Sequence, residues 1–183
     1  MIGLALCLAR KIPAADRSTR EGNWERQRFT GTEIFNKTMG IVGLGRIGFR
    51  VGTRAQAFGM DIIAHDPYVN QDSLNVSELR APLLSLDDLC YQADYVTCHL
   101  PLTDETQKIF NYDIFCSMKP TAFFINLSRG GVVNEEGLLH ALQSEQIAGA
   151  ALDVRQEEPP RKDIFSKMEN VILTPHVGGI TAE

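Results

Sequence analysis

The sequence predicts an α/β fold, a doubly wound parallel sheet, and three observations lead to it. From residue 39 onward, short apolar runs alternate with amphipathic stretches of helical length. The apolar runs are hydrophobic throughout, as parallel strands are when helices cover both faces of their sheet. Four of these runs end in glycine or polar residues, which places chemical groups at the carboxyl edge, where such sheets bind ligands.

The N-terminal part of the chain is predicted to hold one helix and an arm. Ile2 to Lys11 fits a short buried helix that Pro13 ends, because proline breaks the hydrogen-bond ladder. Residues 14–37 are polar and basic, with Trp24 and Phe29 as isolated aromatic groups. Such aromatic residues need a surface to cover, on the same domain or on a partner subunit, and we favour a dimer contact over a solvent-exposed loop. The prediction is therefore a helix stub and dimerisation arm over residues 1–37.

The regular alternation fills residues 38–183, the predicted nucleotide-binding domain. Glycine, proline and polar clusters bound each element. The predicted strands are Met39–Val42, Asp61–His65, Tyr95–Cys98, Ala122–Leu127, Ile147–Leu152 and Val171–Leu173. The predicted helices are Arg46–Phe58, Leu86–Gln92, Asp113–Met118 and Glu135–Ser144.

Composition disfavours several classes of partner. The 183 residues carry a net charge of −5, which argues against a surface that coats nucleic acid. The opening apolar run is too short to span a bilayer, so we expect no membrane partner. The four cysteines lack C-x-x-C spacing, and reduced thiols in a cytoplasm are the simplest interpretation. No cluster has metal-ligand spacing, so we expect no metal.

A G-x-G-x-x-G pattern begins at Gly43, directly after the first predicted strand, and opens a helix. In this context Gly43 permits a tight turn, Gly45 lets the backbone approach a pyrophosphate, and Gly48 allows close packing of helix on strand. The first N–H groups of the helix, including those of Arg46 and Ile47, then face the anion. The pattern predicts a Rossmann dinucleotide site.

Asp66 follows the second predicted strand at the spacing expected of a ribose-binding carboxylate. This carboxylate can accept both ribose hydroxyls of adenosine and would repel a 2′-phosphate. We therefore expect NAD, not NADP. The alternative is that Asp66 only caps a turn before Pro67.

Three groups that could perform chemistry follow other strands of the same predicted edge. The guanidinium group of Arg129 could donate hydrogen bonds to a substrate carboxylate or carbonyl oxygen. His176 could take a proton from a hydroxyl group as hydride leaves, and return it in reduction. Glu158 could pair with that ring, favour its charged form and fix its orientation, with Glu157 as a bystander. Taken singly, each residue has an ordinary structural explanation. Because all three are predicted to lie at the same edge of the sheet, we favour a catalytic role for them.

Other polar residues near the predicted edge receive lesser roles. Asp153 could accept a hydrogen bond from the carboxamide of nicotinamide. His99 and Pro101, at the end of another strand, are expected to line the cofactor crevice and not to transfer protons. His65 and His140 are interpreted as structural.

Several segments together resemble a known family, and they run through almost the whole chain. These segments are residues 43–48, Asp66, 99–103, 128–130, 149–154, 158–159 and 174–179. They are similar to the D-isomer-specific 2-hydroxy acid dehydrogenases, and residues 24–33 most resemble the phosphoglycerate dehydrogenases among them. The resemblance implies an NAD-dependent oxidoreductase of a small 2-hydroxy or 2-keto acid, with Arg129, Glu158 and His176 catalytic and a homodimer formed through this domain.

The resemblance also implies a missing part and two alternatives. Family members build a substrate domain from residues on both sides of the nucleotide domain, so we expect an isolated NAD-binding domain that binds NAD and turns over substrate poorly. Within the family, a glyoxylate or hydroxypyruvate reductase is an alternative to 3-phosphoglycerate oxidation. A different class of relative, the C-terminal binding protein corepressors, suggests an NAD-sensing scaffold.

Overall fold

Six parallel strands form a single sheet in the computed structural model, which describes residues 1–161 and 163–182. The strands are β1 (Thr38–Val42), β2 (Asp61–His65), β3 (Tyr95–Cys98), β4 (Phe123–Asn126), β5 (Gly149–Leu152) and β6 (Val171–Leu173). Their order is β2-β1-β3-β4-β5-β6, and every neighbouring pair is parallel. The order changes direction between β1 and β3, which puts a ligand crevice at the carboxyl ends of those two strands.

Helices cover both faces of this sheet. They are α1 (Ile2–Arg10), α2 (Ile12–Arg20), α3 (Arg46–Ala57), α4 (Leu74–Leu79), α5 (Leu86–Gln92), α6 (Tyr112–Ser117) and α7 (Glu135–Gln143), with a 3-10 turn at Gly130–Val132. One apolar cluster joins α5, α6 and α7 to the sheet, and a second joins α1, α3 and α4 to the opposite face. Neighbouring strand residues such as Ile41 and Val42 enter different clusters. The doubly wound parallel fold is confirmed.

The predicted strands and the four predicted helices after residue 38 lie within two residues of their observed bounds. N-capping side chains explain why the starts of these helices could be predicted from the sequence. Side chains of Ser85, Asn111 and Asn134 accept hydrogen bonds from the first-turn N–H groups of α5, α6 and α7, at 3.1, 3.0 and 3.0 Å.

The N-terminal prediction was wrong in one respect. Helix α1 ends at Arg10 because Lys11 adopts a left-handed φ of 52°, and Pro13 lies in the first turn of α2. Proline fits that position, since the first N–H groups of a helix have no intrahelical acceptor. Residues predicted to form an arm therefore include most of a helix. The buried α1 is confirmed: Ala5, for example, is fully inaccessible to solvent. The division at residue 37 stays a prediction.

The cysteines divide between core and surface. Cys90 and Cys98 are buried, Cys116 is exposed, and all four thiols of the chain are free. Burial raises the pKa of both Cys90 and Cys98 to about 12. In the part of the chain that the structure describes, no helix combines the length and apolar character needed to cross a membrane. The cytoplasmic location stays a prediction.

Candidate cofactor and active site

The turn between β1 and α3 can hold only glycine at two positions. Gly43 has a φ of +92°, and a methyl group on it would lie 2.8 Å from the carbonyl oxygen of His99. A methyl group on Gly48 would lie 2.1 Å from the carbonyl oxygen of Gly43. By contrast, Gly45 faces open space. The turn and packing interpretations of Gly43 and Gly48 agree with this geometry, and the space beside Gly45 suits an approaching phosphate.

The first turn of α3 presents unused hydrogen-bond donors. Arg46 and Ile47 are exposed, and among the described residues none accepts a hydrogen bond from their backbone N–H groups. Gly45 is the N-cap and offers no side chain to satisfy them. A helix start of this kind attracts anions through its N–H groups and its dipole.

Asp66 makes the local turn contact expected from the sequence and also lies beside the glycine turn, whereas its binding of ribose stays a prediction. Its Oδ1 accepts from the N–H of Tyr68 at 2.9 Å, which is the local turn before Pro67. Its Oδ2 accepts from the N–H of Leu44, inside the glycine turn, at 2.8 Å. The second bond draws the carboxylate to the mouth of the β1–α3 turn. Each oxygen keeps a free lone pair that could accept a ribose hydroxyl.

His99 lies beside this turn, directly after β3. Its N–H donates to the carbonyl of Val42 at 2.8 Å, and its Nε2 lies 3.2 Å from Thr97 Oγ1. Burial lowers the pKa of His99 to about 4, so the ring is neutral at physiological pH. This agrees with a lining role and not with proton transfer. The exposed Pro101 follows, and its carbonyl accepts from Thr106 Oγ1 at 2.6 Å.

Glu158 and His176 form the pair expected from the sequence. Nδ1 of His176 lies 2.7 Å from Oε2 of Glu158, and the other carboxylate oxygen accepts from the N–H of Arg155 at 2.9 Å. Partial burial opposes ionisation of Glu158, but these two hydrogen bonds hold its pKa below the usual value. Glu157 instead pairs with Arg161 on the surface, at 2.8 Å. A cavity of about 400 Å³ adjoins the pair.

Asp153 holds the loop that carries His176. The residue is 2% exposed, and its carboxylate accepts from Thr174 Oγ1 at 2.5 Å and from the N–H groups of Val177 and Gly178 at 2.9 and 2.7 Å. Burial alone would raise the pKa of Asp153, but these donors lower it. The N–H of His176 donates to the Asp153 carbonyl at 2.8 Å, and His176 adopts a left-handed φ of 55°. The proposed contact of Asp153 with nicotinamide stays a prediction.

Arg129 follows β4 on a turn shaped by Asn126. Asn126 is 1% exposed; its Nδ2 donates to the Arg129 carbonyl at 2.9 Å, and its Oδ1 accepts from the N–H of Ser128 at 2.9 Å. The Arg129 side chain is exposed and donates to the carbonyl of Ser128 at 2.7 Å. A methyl group on Gly130 would lie 1.7 Å from the Arg155 carbonyl oxygen, so this turn packs directly against the loop that carries Glu158.

The remaining histidines have structural contacts. Nδ1 of His65 lies 2.9 Å from the carbonyl oxygen of Leu84, and the ring of His140 stacks on Tyr112 with centroids 4.6 Å apart. Within residues 1–161 and 163–182 there is no group of three or more His, Cys, Asp or Glu side chains that could hold a metal ion. The carboxyl edge of the sheet therefore carries two sets of groups. The glycine turn and Asp66 follow β1 and β2, and Arg129, Glu158 and His176 lie on the loops after β4, β5 and β6.

Comparison with known proteins identifies the family to which the chain belongs. Residues 2–178 match the model of the D-isomer specific 2-hydroxyacid dehydrogenase NAD binding domain. The chain belongs to this family. It is 44% identical over 182 residues to D-3-phosphoglycerate dehydrogenase of Synechocystis sp., covering 100% of the chain and 32% of that relative. It is 47% identical over 182 residues to the human D-3-phosphoglycerate dehydrogenase, covering 99% of the chain and 34% of that relative.

A solved 2-hydroxyacid dehydrogenase has the same fold. D-lactate dehydrogenase with NAD⁺ from Lactobacillus jensenii superposes with a TM-score of 0.85 at 29% identity, covering 98% of this chain and 58% of that one. The chain thus spans about a third of the curated relatives it matches. The residues present in this NAD-binding domain fit the cofactor: they include a glycine turn, free helix N–H groups and the Asp66 carboxylate beside that turn.

The sequence did not reveal two of the buried residues that organise this edge, Asn126 and Arg155, and it did not reveal the loop-holding role of Asp153. Asn126 shapes the Arg129 turn, Asp153 clamps the His176 loop, and Arg155 touches Glu158 through its N–H. Only one signal could have pointed to them. Each is a polar residue at or just after the end of an apolar strand, where a side chain reaches the loops of neighbouring strands.

Proposed function

We propose that this chain provides the cofactor site and the reacting groups of an NAD-dependent dehydrogenase that interconverts 3-phosphoglycerate and 3-phosphohydroxypyruvate. The Glu158–His176 pair carries the proposal, because a carboxylate 2.7 Å from an imidazole at the edge that also holds the glycine turn is an acid–base device beside a cofactor site. The choice of substrate is supported by the identity of 44–47% to the two phosphoglycerate dehydrogenases described above.

The proposed roles follow from which atoms are free. Nδ1 of His176 is engaged by Glu158, which leaves Nε2 to accept the proton of the substrate hydroxyl during oxidation and to return it during reduction. Glu158 stabilises the positive charge that the ring then carries. Arg129, exposed on the neighbouring turn, orients the substrate through its carboxylate or carbonyl oxygen. Bound NAD supplies the hydride acceptor.

Binding of the cofactor is tested by titration calorimetry of the chain with NAD and with NADP. Wild-type protein is expected to bind NAD and to reject NADP, because Asp66 would face the 2′-phosphate. Asp66→Ala removes the ribose acceptor and the repulsion, so NAD binding weakens about tenfold and selectivity is lost. The matched control, Asp61→Ala, changes an exposed carboxylate at the other end of β2. Equal binding of both cofactors by wild type would contradict the proposal.

The catalytic roles are tested in a chimera in which this chain replaces the matching segment of the Synechocystis enzyme. Oxidation of NADH by 3-phosphohydroxypyruvate is measured. His176→Asn is expected to lower kcat by about 100-fold or more, and Glu158→Gln by a smaller factor. His140→Asn, on the surface helix α7, is the control. Wild-type rates in His176→Asn would refute the assignment.

The alternatives are separated by substrate and by partner. The protein itself is offered NADH with 3-phosphohydroxypyruvate, hydroxypyruvate or glyoxylate, and 3-phosphohydroxypyruvate is expected to react fastest. A preference for glyoxylate or hydroxypyruvate favours the reductase alternative. NAD-dependent capture of peptides by the protein, together with no turnover in the chimera, favours the scaffold.

We further propose that the chain forms a homodimer through its N-terminal arm. Trp24 is 81% exposed and Phe35 is 59% exposed, and large aromatic groups of this kind are enriched in protein interfaces. The arm is also tied to its own domain, since Arg28 donates to Glu169 at 3.1 Å. This anchoring would hold the arm ready for a partner. Sedimentation equilibrium is expected to give a dimer that Trp24→Ala weakens; a monomer at high concentration would contradict it.

A further inference from the structure

Arg155 is a buried arginine beside the proposed reacting pair. Its side chain is 7% exposed, and one guanidinium nitrogen donates to the carbonyls of Leu152 and Val154, both at 3.1 Å. A second nitrogen pairs with Asp163 at 3.3 Å. A buried charge is costly unless it is paired and hydrogen bonded. Through these three bonds Arg155 fastens the end of β5 to Asp163, which lies eight positions after Arg155.

The backbone of Arg155 touches both loops of the site. Its N–H donates to Glu158 at 2.9 Å, and Glu158 in turn binds the ring of His176. Its carbonyl oxygen is the atom against which Gly130 packs, in the turn that carries Arg129. Residue 155 thus lies between the proposed substrate-binding arginine and the proposed acid–base pair.

We propose that Arg155 is a positioning residue, whose guanidinium staples the loop between Leu152 and Asp163 so that Glu158 is held against His176 before substrate binds. The staple matters because Glu158 and His176 are partly exposed, and exposed side chains otherwise sample several rotamers. The neighbouring Gln156 N–H is fixed to Glu135 at 2.8 Å, but that bond involves neither Glu158 nor His176. The functional meaning of this staple rests on the proposed catalytic role of the pair.

The charges around Glu158 make its titration a reporter of the staple. Arg155 and His176 favour its ionised form, and their hydrogen bonds and charges lower its pKa against the opposing effect of burial. Other charged groups in the surrounding loops are Asp153, Asp163 and the Glu157–Arg161 ion pair. Loss of the Arg155 charge and of the staple should therefore raise the pH at which Glu158 titrates.

The test is an NMR pH titration of the Glu158 carboxyl carbon in the free chain. Arg155→Met keeps the apolar stem and is expected to raise the midpoint of the Glu158 titration. Arg161→Met, which removes an exposed arginine from the same loop, is expected to leave it unchanged. A wild-type midpoint in Arg155→Met, with the fold intact, would overturn the proposal.

Arg155→Lys keeps the test decisive if the methionine variant does not fold. A lysine retains the charge but lacks the planar fork that reaches two carbonyls and a carboxylate at once. Hydrogen exchange at the amide of residue 155, which donates to Glu158, is expected to quicken at least about tenfold. The amide of Asp153, bonded to the Asn126 carbonyl, should not change. Unchanged exchange at residue 155 would overturn the staple.

A kinetic readout separates this inference from the proposed function. In the chimera, Arg155→Met is expected to lower kcat about tenfold and to leave the KM for NADH unchanged. If His176→Asn is inactive but Arg155→Met has wild-type kcat, the pair is catalytic and the positioning role is refuted. If Glu158 titrates as expected but His176→Asn is fully active, the staple stands and the proposed function fails.

Discussion

Replacing Asp153 with asparagine should loosen the His176 loop while leaving the sheet intact. The carboxylate accepts three hydrogen bonds, two at Oδ1 and one at Oδ2. If the asparagine oxygen takes the Oδ1 position, its NH₂ group faces the N–H of Gly178, and two donors oppose each other. One charge-assisted bond is lost, and the two others weaken because their acceptor is now neutral. Since Val177 and Gly178 are exposed and can bond to water, we set the local cost at about 2 kcal/mol.

The assay is native-state hydrogen exchange at the amides of Val177 and Gly178. A local cost of about 2 kcal/mol corresponds to about 30-fold faster exchange. Sheet amides such as that of Ala151 should keep their protection, because the change does not reach the core. Asp61→Asn removes an exposed carboxylate at the start of β2 and serves as the control. If both loop amides exchange at the wild-type rate in Asp153→Asn, the clamp is refuted.

Two further predictions concern stability. Gly130→Ala should lower the free energy of unfolding by about 3 kcal/mol or more, because the new methyl group would lie 1.7 Å from a backbone oxygen. The control Gly3→Ala, on an open helix face, should raise the free energy of unfolding by about 0.5–1 kcal/mol. Equal urea unfolding midpoints for the two variants would contradict the close contact at Gly130. Asp153 and Glu158 have lowered pKa values, so their stabilisation is present above the ordinary carboxyl pKa of about 4 and is lost as pH falls through the folded values. The acid limb of a stability-versus-pH curve should therefore flatten in Asp153→Asn, and an unchanged limb would contradict this.

The nucleotide half of the site could be predicted because it is built from local sequence. A strand, a turn with a positive φ at Gly43 and a helix starting at Arg46 occupy adjacent residues, so sterics within a few positions decide the geometry. The position of Asp66 beside the glycine turn could also be predicted, since β1 and β2 pair along their full length and their carboxyl ends lie together. The turn contact of Asp66 and its bond to the Leu44 N–H coexist because a carboxylate has enough lone pairs for both, and ribose binding stays a prediction.

The supporting contacts could not be predicted, because the residues that make them are distant in sequence. Asp153 binds donors 21 to 25 residues away, and Asn126 accepts from Cys98, 28 residues earlier. No local pattern encodes such contacts. Helix α4 was missed for a related reason: only Val76 and Leu79 are buried in its six residues, too few to give a helical period.

The two halves of this edge therefore rest on different physics. Around β1 and β3 the backbone itself forms the site, and glycine is required because atoms from Gly43 and His99 occupy the space a side chain would need. Around β4, β5 and β6 the proposed reacting groups are exposed and need to be held from beneath. Buried polar side chains such as Asp153 do this, and burial makes each of their hydrogen bonds costly to lose. A substitution at a glycine of the first half introduces a steric clash with the backbone. Loss of a buried polar side chain in the second half instead frees a loop from its hydrogen bonds. The proposed acid–base pair thus depends on residues that need not touch the substrate.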